Sequence, residues 1–328
     1  MKCCIRIARI ACVVALILGW SRTTHAEDYP SRTVTIVVPY PAGGPTDQVA
    51  RVLATKFAEA LGQSFIVENI SGGGTTIATA RVAHAAPDGY TLLVHNLQIS
   101  ANASLYPNLS FDTEKDLTPL GFINSNPLLL VGRNSLAANS FSELLAWMKA
   151  NPAKVAHFGT GSTAHLTTAL LMQEAKISLD QIPYRGAAPA LQDLLGGHVD
   201  LFFATPQQVM GMVTSGQIKA FGITARERSA QFPATESIVQ ELGPKFEITY
   251  WHAIFAPAGT PQPIVAKLNA VLQTTLEDPA ILKNWAGFGV APFPKDQRSP
   301  QAAQTLLRSE IARWGQVVRD NKIQPQTD

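Results

Sequence analysis

From Thr33 onward, short runs rich in Val, Ile, Leu and Phe alternate with segments whose apolar residues recur every three or four positions. That alternation confines a chain to α/β architecture, because each return to a parallel strand needs a helical crossover. Residues 34–38 read as the first strand and 39–44 as a loop. Pro45 then opens a helix with Val49, Val52, Leu53, Phe57 and Leu61 on one face and Gly62 as its stop. Residues 65–68 form the second strand, 71–74 a loop, 75–84 a short helix and 90–95 the third strand, which completes a βαβαβ unit. A second unit follows at 128–132. Its helix at 141–150 has Ser140 and Glu143 as a capping box, and its strand at 155–158 runs into Gly159, Thr160, Gly161 and Ser162. Strands at 181–184, 199–203 and 218–224, with a helix at 188–195, complete it.

The C-terminal third supplies one strand, 248–255, and amphipathic helices at 263–275 and 301–318, too little β material for a third sheet. The expected fold is therefore α/β and two-lobed, with mostly parallel sheets and two crossover strands as a hinge. Lobe one takes residues 27–125 and 251–328, and lobe two takes 126–250.

Lys2, Arg6 and Arg9 precede an apolar run from Ile10 to Trp20, and Thr24, His25 and Ala26 offer a small-residue cleavage site. Residues 1–26 read as a secretory signal, since the run falls short of the roughly 20 apolar residues that span a bilayer. Cys3, Cys4 and Cys12 all lie in that segment, so a chain cut after Ala26 has no disulfide, thiolate metal site or cysteine nucleophile. Cleavage also removes four basic residues and no acidic one, which leaves 22 basic against 24 acidic residues, a net charge of −2. No basic field remains for nucleic acid.

Ligands of parallel α/β sheets sit outside the carboxyl ends of the strands, so the loops after the strands are where chemistry is expected. Those loops are rich in Gly, Thr, Ser, Asn and Gln, and three of them lead directly into helices, where free amides and the helix dipole can hold an anion without a lysine. For any one loop the plainer reading is a tight turn, for which glycine is the default residue. Asp47 is expected to serve the first helical turn rather than a ligand, and Tyr40 either lines the cleft or packs. No two of His84, His95, His157, His165, His198 and His252 have metal-ligand spacing on a helix, so no metal or cofactor is expected. Arg185 follows a strand and could pair with a carboxylate through its guanidinium fork, or lie on the surface. Gly-x-Ser-x-Gly, Walker, His-Glu-x-x-His and Ser-x-x-Lys motifs are absent from the sequence. Ser162 near His165 has no orienting acid, so binding is favoured over catalysis. An exported hydrolase using that pair, or a periplasmic sensor, are the rival readings.

Several stretches together resemble the Bug family of extracytoplasmic solute receptors, the binding proteins of tripartite tricarboxylate transporters. They are Val38 to Gly44 with Asp47; Leu61, Gly62 and Gln63; Val67, Glu68 and Asn69; and Ala86 to Leu93. Pro183 to Gly186, Ala188 to Leu191, Asp193 to Gly197, and Phe255 to Pro261 follow. The resemblance spans nearly all of the mature chain. It implies a monomeric receptor with the two-lobed, type II-like periplasmic-binding-protein fold that closes on a small carboxylate and serves the membrane subunits of such a transporter. It places lobe-one contacts at Tyr40, Ala42, Gly43, Gly44 and Thr46, at Gly73, Gly74 and Thr75, and at His95, Asn96 and Gln98. Lobe-two contacts fall at Gly159, Thr160, Gly161, Ser162 and Thr163, at Arg185, and at Thr205. Relatives often carry Phe-Asp-Asn where this chain has Phe203, Ala204 and Thr205, a departure that disfavours an amino-acid ligand. They also tend to have small residues where His95, Asn96, Leu97 and Gln98 stand. The expected ligand is a dicarboxylate, aromatic ones such as terephthalate included, with His95 or Arg185 near its second carboxylate.

Overall fold

The computed structural model describes residues 29–325, so the expected export signal at 1–26 lies outside the described residues. Val34, Ile36, Val37 and Val38 of β1 (Val34–Val38) are buried, and β1 pairs in parallel with β2 (Phe65–Asn69) on one side and β3 (Thr91–Asn96) on the other. Between β1 and β2 runs α1 (Pro45–Leu61), which buries Val49, Leu53 and Phe57 and stops where Gly62 turns left-handed (φ 69°) and donates its amide to Ala58 O. At roughly 1.5–3 kcal/mol for each fully buried large apolar side chain, that stripe alone holds α1 on the sheet. Between β2 and β3 lies α2 (Thr76–Ala83), and β3 is followed by a 3-10 turn (Leu97–Ser100) and the short α3 (Asn102–Leu105).

The chain then enters β4 (Leu117–Pro127) and passes through Leu128 into β5 (Leu129–Arg133) of a second sheet. There α4 (Phe141–Ala150), β6 (Lys154–His157), α5 (Thr163–Ala175), β7 (Asp180–Pro183), α6 (Ala187–Gly196) and β8 (Leu201–Ala204) follow. After α7 (Pro206–Thr214), β9 (Ile218–Ile223), β10 (Glu236–Ser237) and α8 (Ile238–Leu242), the chain returns through β11 (Thr249–Pro257) to the first sheet. It ends with α9 (Gln262–Thr275), α10 (Pro279–Ala286), β12 (Ala291–Pro292) and α11 (Pro300–Asp320). The strand orders are β12-β4-β11-β3-β1-β2 and β10-β9-β5-β8-β6-β7. Among the described residues, no helix is long and apolar enough to cross a membrane.

The α/β architecture with two sheets is as the sequence predicts, but the sheets are mixed: five ladders are parallel and five antiparallel. The antiparallel ones come from strands the chain reaches by crossing between sheets, β4, β5 and β11, and from the short β12. The strand β4 ends at the first of the two expected crossings, but its stretch before residue 124 has no counterpart in the sequence reading, because Pro119 and Gly121 look like turn residues; it is held by pairing along its whole length with β11. The capping box is also only half formed. Ser140 Oγ accepts from the Glu143 amide at 3.1 Å, while the Glu143 carboxylate accepts from the amide of Asn139, one residue upstream of the expected donor.

The returning strand is fastened by α11. Its Glu310 carboxylate accepts the indole N–H of Trp251 on β11 at 2.8 Å and that of Trp314 at 3.1 Å. Both indoles are buried, and this shared acceptor satisfies donors that would otherwise be costly to bury.

Candidate functional site

Because β2, β1 and β3 are parallel neighbours, the loops after them emerge at one edge of the first sheet. The first loop is shaped by Asp47, whose buried carboxylate accepts the Gly43 amide at 2.9 Å, Arg51 Nε at 2.8 Å and Asn69 Nδ2 at 3.0 Å. Burial opposes its charge, but those donors outweigh it and hold the pKa below the usual aspartate value. Asp47 lies in the first turn of α1, as the sequence predicts, and in addition anchors the loop before that helix. Asn69 Nδ2 also donates to Tyr40 O at 2.9 Å, which ties the second loop to the first.

The second loop carries four successive residues with positive φ, at 133°, 53°, 53° and 84° for Gly72, Gly73, Gly74 and Thr75. Glycine is required at 74 on two counts, since a Cβ there would also overlap the Tyr106 hydroxyl. Thr75 tolerates its left-handed backbone because it is tied down: its amide donates to Gly72 O, and its hydroxyl accepts from Asn102 Nδ2 at 3.1 Å.

The third loop joins the other two. Tyr40 Oη lies 2.9 Å from Asn96 Oδ1 and 3.1 Å from Gln98 Oε1, and Gln98 Nε2 donates to Gly74 O at 3.1 Å. Asn96 Nδ2 donates to Thr46 Oγ1 at 3.2 Å and to Tyr250 Oη at 3.0 Å. His95 is fully buried, edge-on to Tyr40 at 5.7 Å between ring centroids. His95 Nδ1 lies 2.7 Å from the Asn96 amide nitrogen, which would donate to it, and 3.0 Å from the Asn96 carbonyl oxygen, which would accept from it, so the two contacts fit opposite ring tautomers. The other ring nitrogen, Nε2, is buried and meets no hydrogen-bond partner in the protein. Burial drives the imidazole pKa down to about 3, so His95 presents a neutral ring rather than a positive charge.

At the second sheet, β7, β6 and β8 are likewise parallel neighbours, so the segments after His157, Pro183 and Ala204 share an edge. Here Ser162 caps α5 by accepting the His165 amide at 3.3 Å, and His165 Nδ1 accepts the Gly161 amide at 3.0 Å. The His165 ring stacks on His157 with centroids 4.6 Å apart, and burial lowers its pKa to about 4. Ser162 thus meets the backbone of His165, and no nucleophile-to-imidazole bond exists in this arrangement. Thr163 Oγ1 is buried and has no partner in the protein. Thr205 caps α7 in a box with Gln208, and its amide donates to Gln208 Oε1 at 2.9 Å. Arg185 is exposed.

The two edges meet at α3. A Cβ on Gly161 would overlap Leu105 Cδ1, just as one on Gly74 would overlap the hydroxyl of Tyr106, the next residue. Tyr40, Thr46, Gly74, Asn96 and Gln98 are thus joined by hydrogen bonds, with His95 and Thr75 beside them, and the 159–163 loop abuts them through Leu105. Arg185 and Thr205 share the second edge but, among the described residues, form no hydrogen bond with this cluster.

The expectation of free backbone amides needs correction in part. The amides of Gly43, Thr75, Asn96, Gln98, Gly161, Ser162 and Thr205 are already committed to protein acceptors. These turns use their own donors to hold shape. The unpaired capacity lies instead in side-chain atoms such as His95 Nε2 and Thr163 Oγ1, together with Asn102 Oδ1, which the sequence reading missed. Nothing in the sequence marks Asn102, whose role depends on α3 lying between the edges. Ala42 and Gly43 are exposed, Gly44, Gly73, Gly159 and Thr160 are half-buried, and among the described residues no group of three His, Cys, Asp or Glu could hold a metal ion.

Comparison with known proteins identifies the fold and the family. MatC from Rhodopseudomonas palustris with bound malate superposes with a TM-score of 0.81 at 38% identity, covering 88% of this chain and 100% of that one. An R. palustris protein with adipate superposes with a TM-score of 0.83 at 32% identity, covering 91% and 100%. Protein BugT of Bordetella pertussis is 34% identical over 319 residues, 95% of this chain and 97% of its own length. The family model described as tripartite tricarboxylate transporter family receptor, TctC, matches residues 49–323. With that match along most of its length, the chain belongs to the tripartite tricarboxylate transporter receptor family.

Proposed function

We propose that this protein is a periplasmic receptor that captures a small dicarboxylate between two lobes and delivers it to the membrane subunits of a tripartite tricarboxylate transporter. The lobes are residues 27–125 with 251–328, and 126–250, hinged where β4 and β11 run side by side. The observation that carries the reading is the pairing of unsatisfied buried groups with converging loops. His95 Nε2, a donor in one ring tautomer and an acceptor in the other, and Thr163 Oγ1, which can do either, are both buried without a partner in the protein. Buried polar groups are rarely left unpaired, and a carboxylate supplies acceptors strong enough to satisfy both. Malate in MatC and adipate in the other R. palustris protein are both dicarboxylates, which supports the same ligand class here.

A receptor working near 1 μM needs about −8 kcal/mol, within reach of several charge-assisted hydrogen bonds of about 1.5–3 kcal/mol each, less ordering costs. The aromatic member of the class, terephthalate, is included because the Tyr40 and His95 rings, edge-on at 5.7 Å, stand among the candidate contacts. Thermal-shift and calorimetric titration with malate, adipate and terephthalate, alongside sugars and neutral amino acids, tests the reading. Stabilisation by at least one dicarboxylate is expected, and stabilisation by another solute class alone would refute it.

A further inference from the structure

Beneath the ligand loops lies a buried polar chain that continues past the site into the crossing strands. Asn96, His252 and Asn124 sit opposite one another on the adjacent strands β3, β11 and β4. His252 Nδ1 lies 2.8 Å from Asn124 Oδ1, and His252 Nε2 lies 3.2 Å from Thr46 Oγ1. An amide oxygen can only accept, so Nδ1 carries the proton and Nε2 accepts from the Thr46 hydroxyl. Thr46 in turn accepts from Asn96, which also donates to Tyr250 on β11. All five side chains are at most 5% exposed. The line from Gly74 O through Gln98, Tyr40, Asn96 and Thr46 to His252 and Asn124 is therefore continuous.

The pairing of β4 with β11 slips in register between His252 and Ala253, and again between Ile254 and Phe255. Such irregularities bend a strand locally and re-aim the side chain beside them. His252 thus stands at a point where the crossing strands can change their relative twist, with the ligand loops attached to its ring by one hydroxyl.

We propose that His252 and Asn124 are positioning residues that couple the ligand loops to the crossing strands, so that occupancy of the site and the angle between the lobes are set together. This rests on the receptor reading above. His252 touches no ligand; it transmits through Thr46 and Asn96. A neutral imidazole suits the role because it offers one donor and one acceptor in fixed opposite directions, and neither hydrophobic nor singly functional side chains can replace both.

The test uses the full mature chain with spin labels on one exposed residue of each lobe, Glu59 and Lys176, in wild type, His252→Phe, His252→Gln and Asn124→Ala. Malate, adipate and terephthalate are the probes, added separately. Stopped-flow fluorescence of Trp251 and the other tryptophans separates bimolecular capture from the saturating closing step. In His252→Phe and Asn124→Ala the closing rate should fall about 2- to 30-fold, the range of measured site-to-site coupling, while the capture constant stays within about twofold. His252→Gln, which keeps a donor and an acceptor, should restore most of the closing rate. The ligand-free label distances should broaden in His252→Phe and Asn124→Ala and return to wild-type width in His252→Gln. A purely structural role would lower stability in all three without separating closing from capture. Wild-type closing and wild-type label distances in His252→Phe overturn the proposal. If no probe binds wild type, the carboxylate reading fails, and the ligand-free distances alone decide the coupling.

Discussion

Replacing Gly161 by alanine tests whether the second sheet's loop is seated against the first lobe. Two terms act. Gly161 has φ 76°, a left-handed conformation that costs an L-residue roughly 1–2 kcal/mol. The new methyl would also overlap Leu105 Cδ1, and overpacking of a buried contact costs about 1–3 kcal/mol. Gly161→Ala should therefore destabilise by about 2–5 kcal/mol, measured by urea denaturation with an unchanged m-value. The second term belongs to the contact alone. Leu105 is fully buried, so Leu105→Ala by itself should cost about 2–5 kcal/mol through its cavity. In the double variant the overlap disappears, and the two changes together should cost about 1–3 kcal/mol less than the sum of the singles. Additivity to within about 0.5 kcal/mol would show that the 159–163 loop does not rest on α3, and the convergence of the two edges would have to be abandoned.

Other substitutions bear on single links. His95→Phe keeps the ring packing on Tyr40 but removes the unpartnered Nε2, so dicarboxylate affinity by calorimetry should drop about 10- to 100-fold; an unchanged Kd removes His95 from the site. Burial holds His95, His165 and His252 neutral, with pKa values driven down to about 3, 4 and 3 from 6.5. Below pH 6.5 the unfolded chain binds protons that the folded chain refuses, so stability should fall as pH drops toward the folded values, by up to about 1.4 kcal/mol per pH unit for each histidine. Constant denaturation midpoints from pH 7 to 5 would contradict this. Asp47 has the opposite sign: its lowered pKa contributes stability above the ordinary 3.8 that is lost as pH falls through the folded value. Asp47→Asn should flatten that acid limb and cost about 1–3 kcal/mol at neutral pH, and an unaltered acid profile would show that the carboxylate does not hold the loop. Arg185→Ala should leave stability within about 0.5 kcal/mol because the side chain is exposed, and a larger loss in thermal melts would place it in the core of the loop.

What the sequence makes legible is local. Pro45, the Val49–Leu53–Phe57 spacing and Gly62 each carry their own signal, and α1 begins and ends where they say. The edge loops are legible for the same reason, since a strand followed by glycines and a helix start marks its own carboxyl end. The strand β4 is hidden because its pairing partner, β11, lies more than a hundred residues away and supplies the hydrogen bonds that its Pro, Gly and Asn residues fail to advertise. The buried chain is hidden likewise: Asn96, Asn124 and His252 become neighbours only through the register of three strands. His252 looked like an isolated histidine, and its ring is in fact bonded on both nitrogens. Expecting free amides at glycine turns fails for a simpler reason. Asp47, His95 and His165 lie within four residues of those turns and take the donors themselves.

Hydrogen exchange on the full chain, with and without a saturating dicarboxylate, addresses the receptor reading most directly. Slowed exchange should appear together in peptides spanning 72–76 and 159–163, because one anion is held from both edges at once. Slowing at one edge only, or in the groove between Lys149 and Asp180 instead, would contradict it.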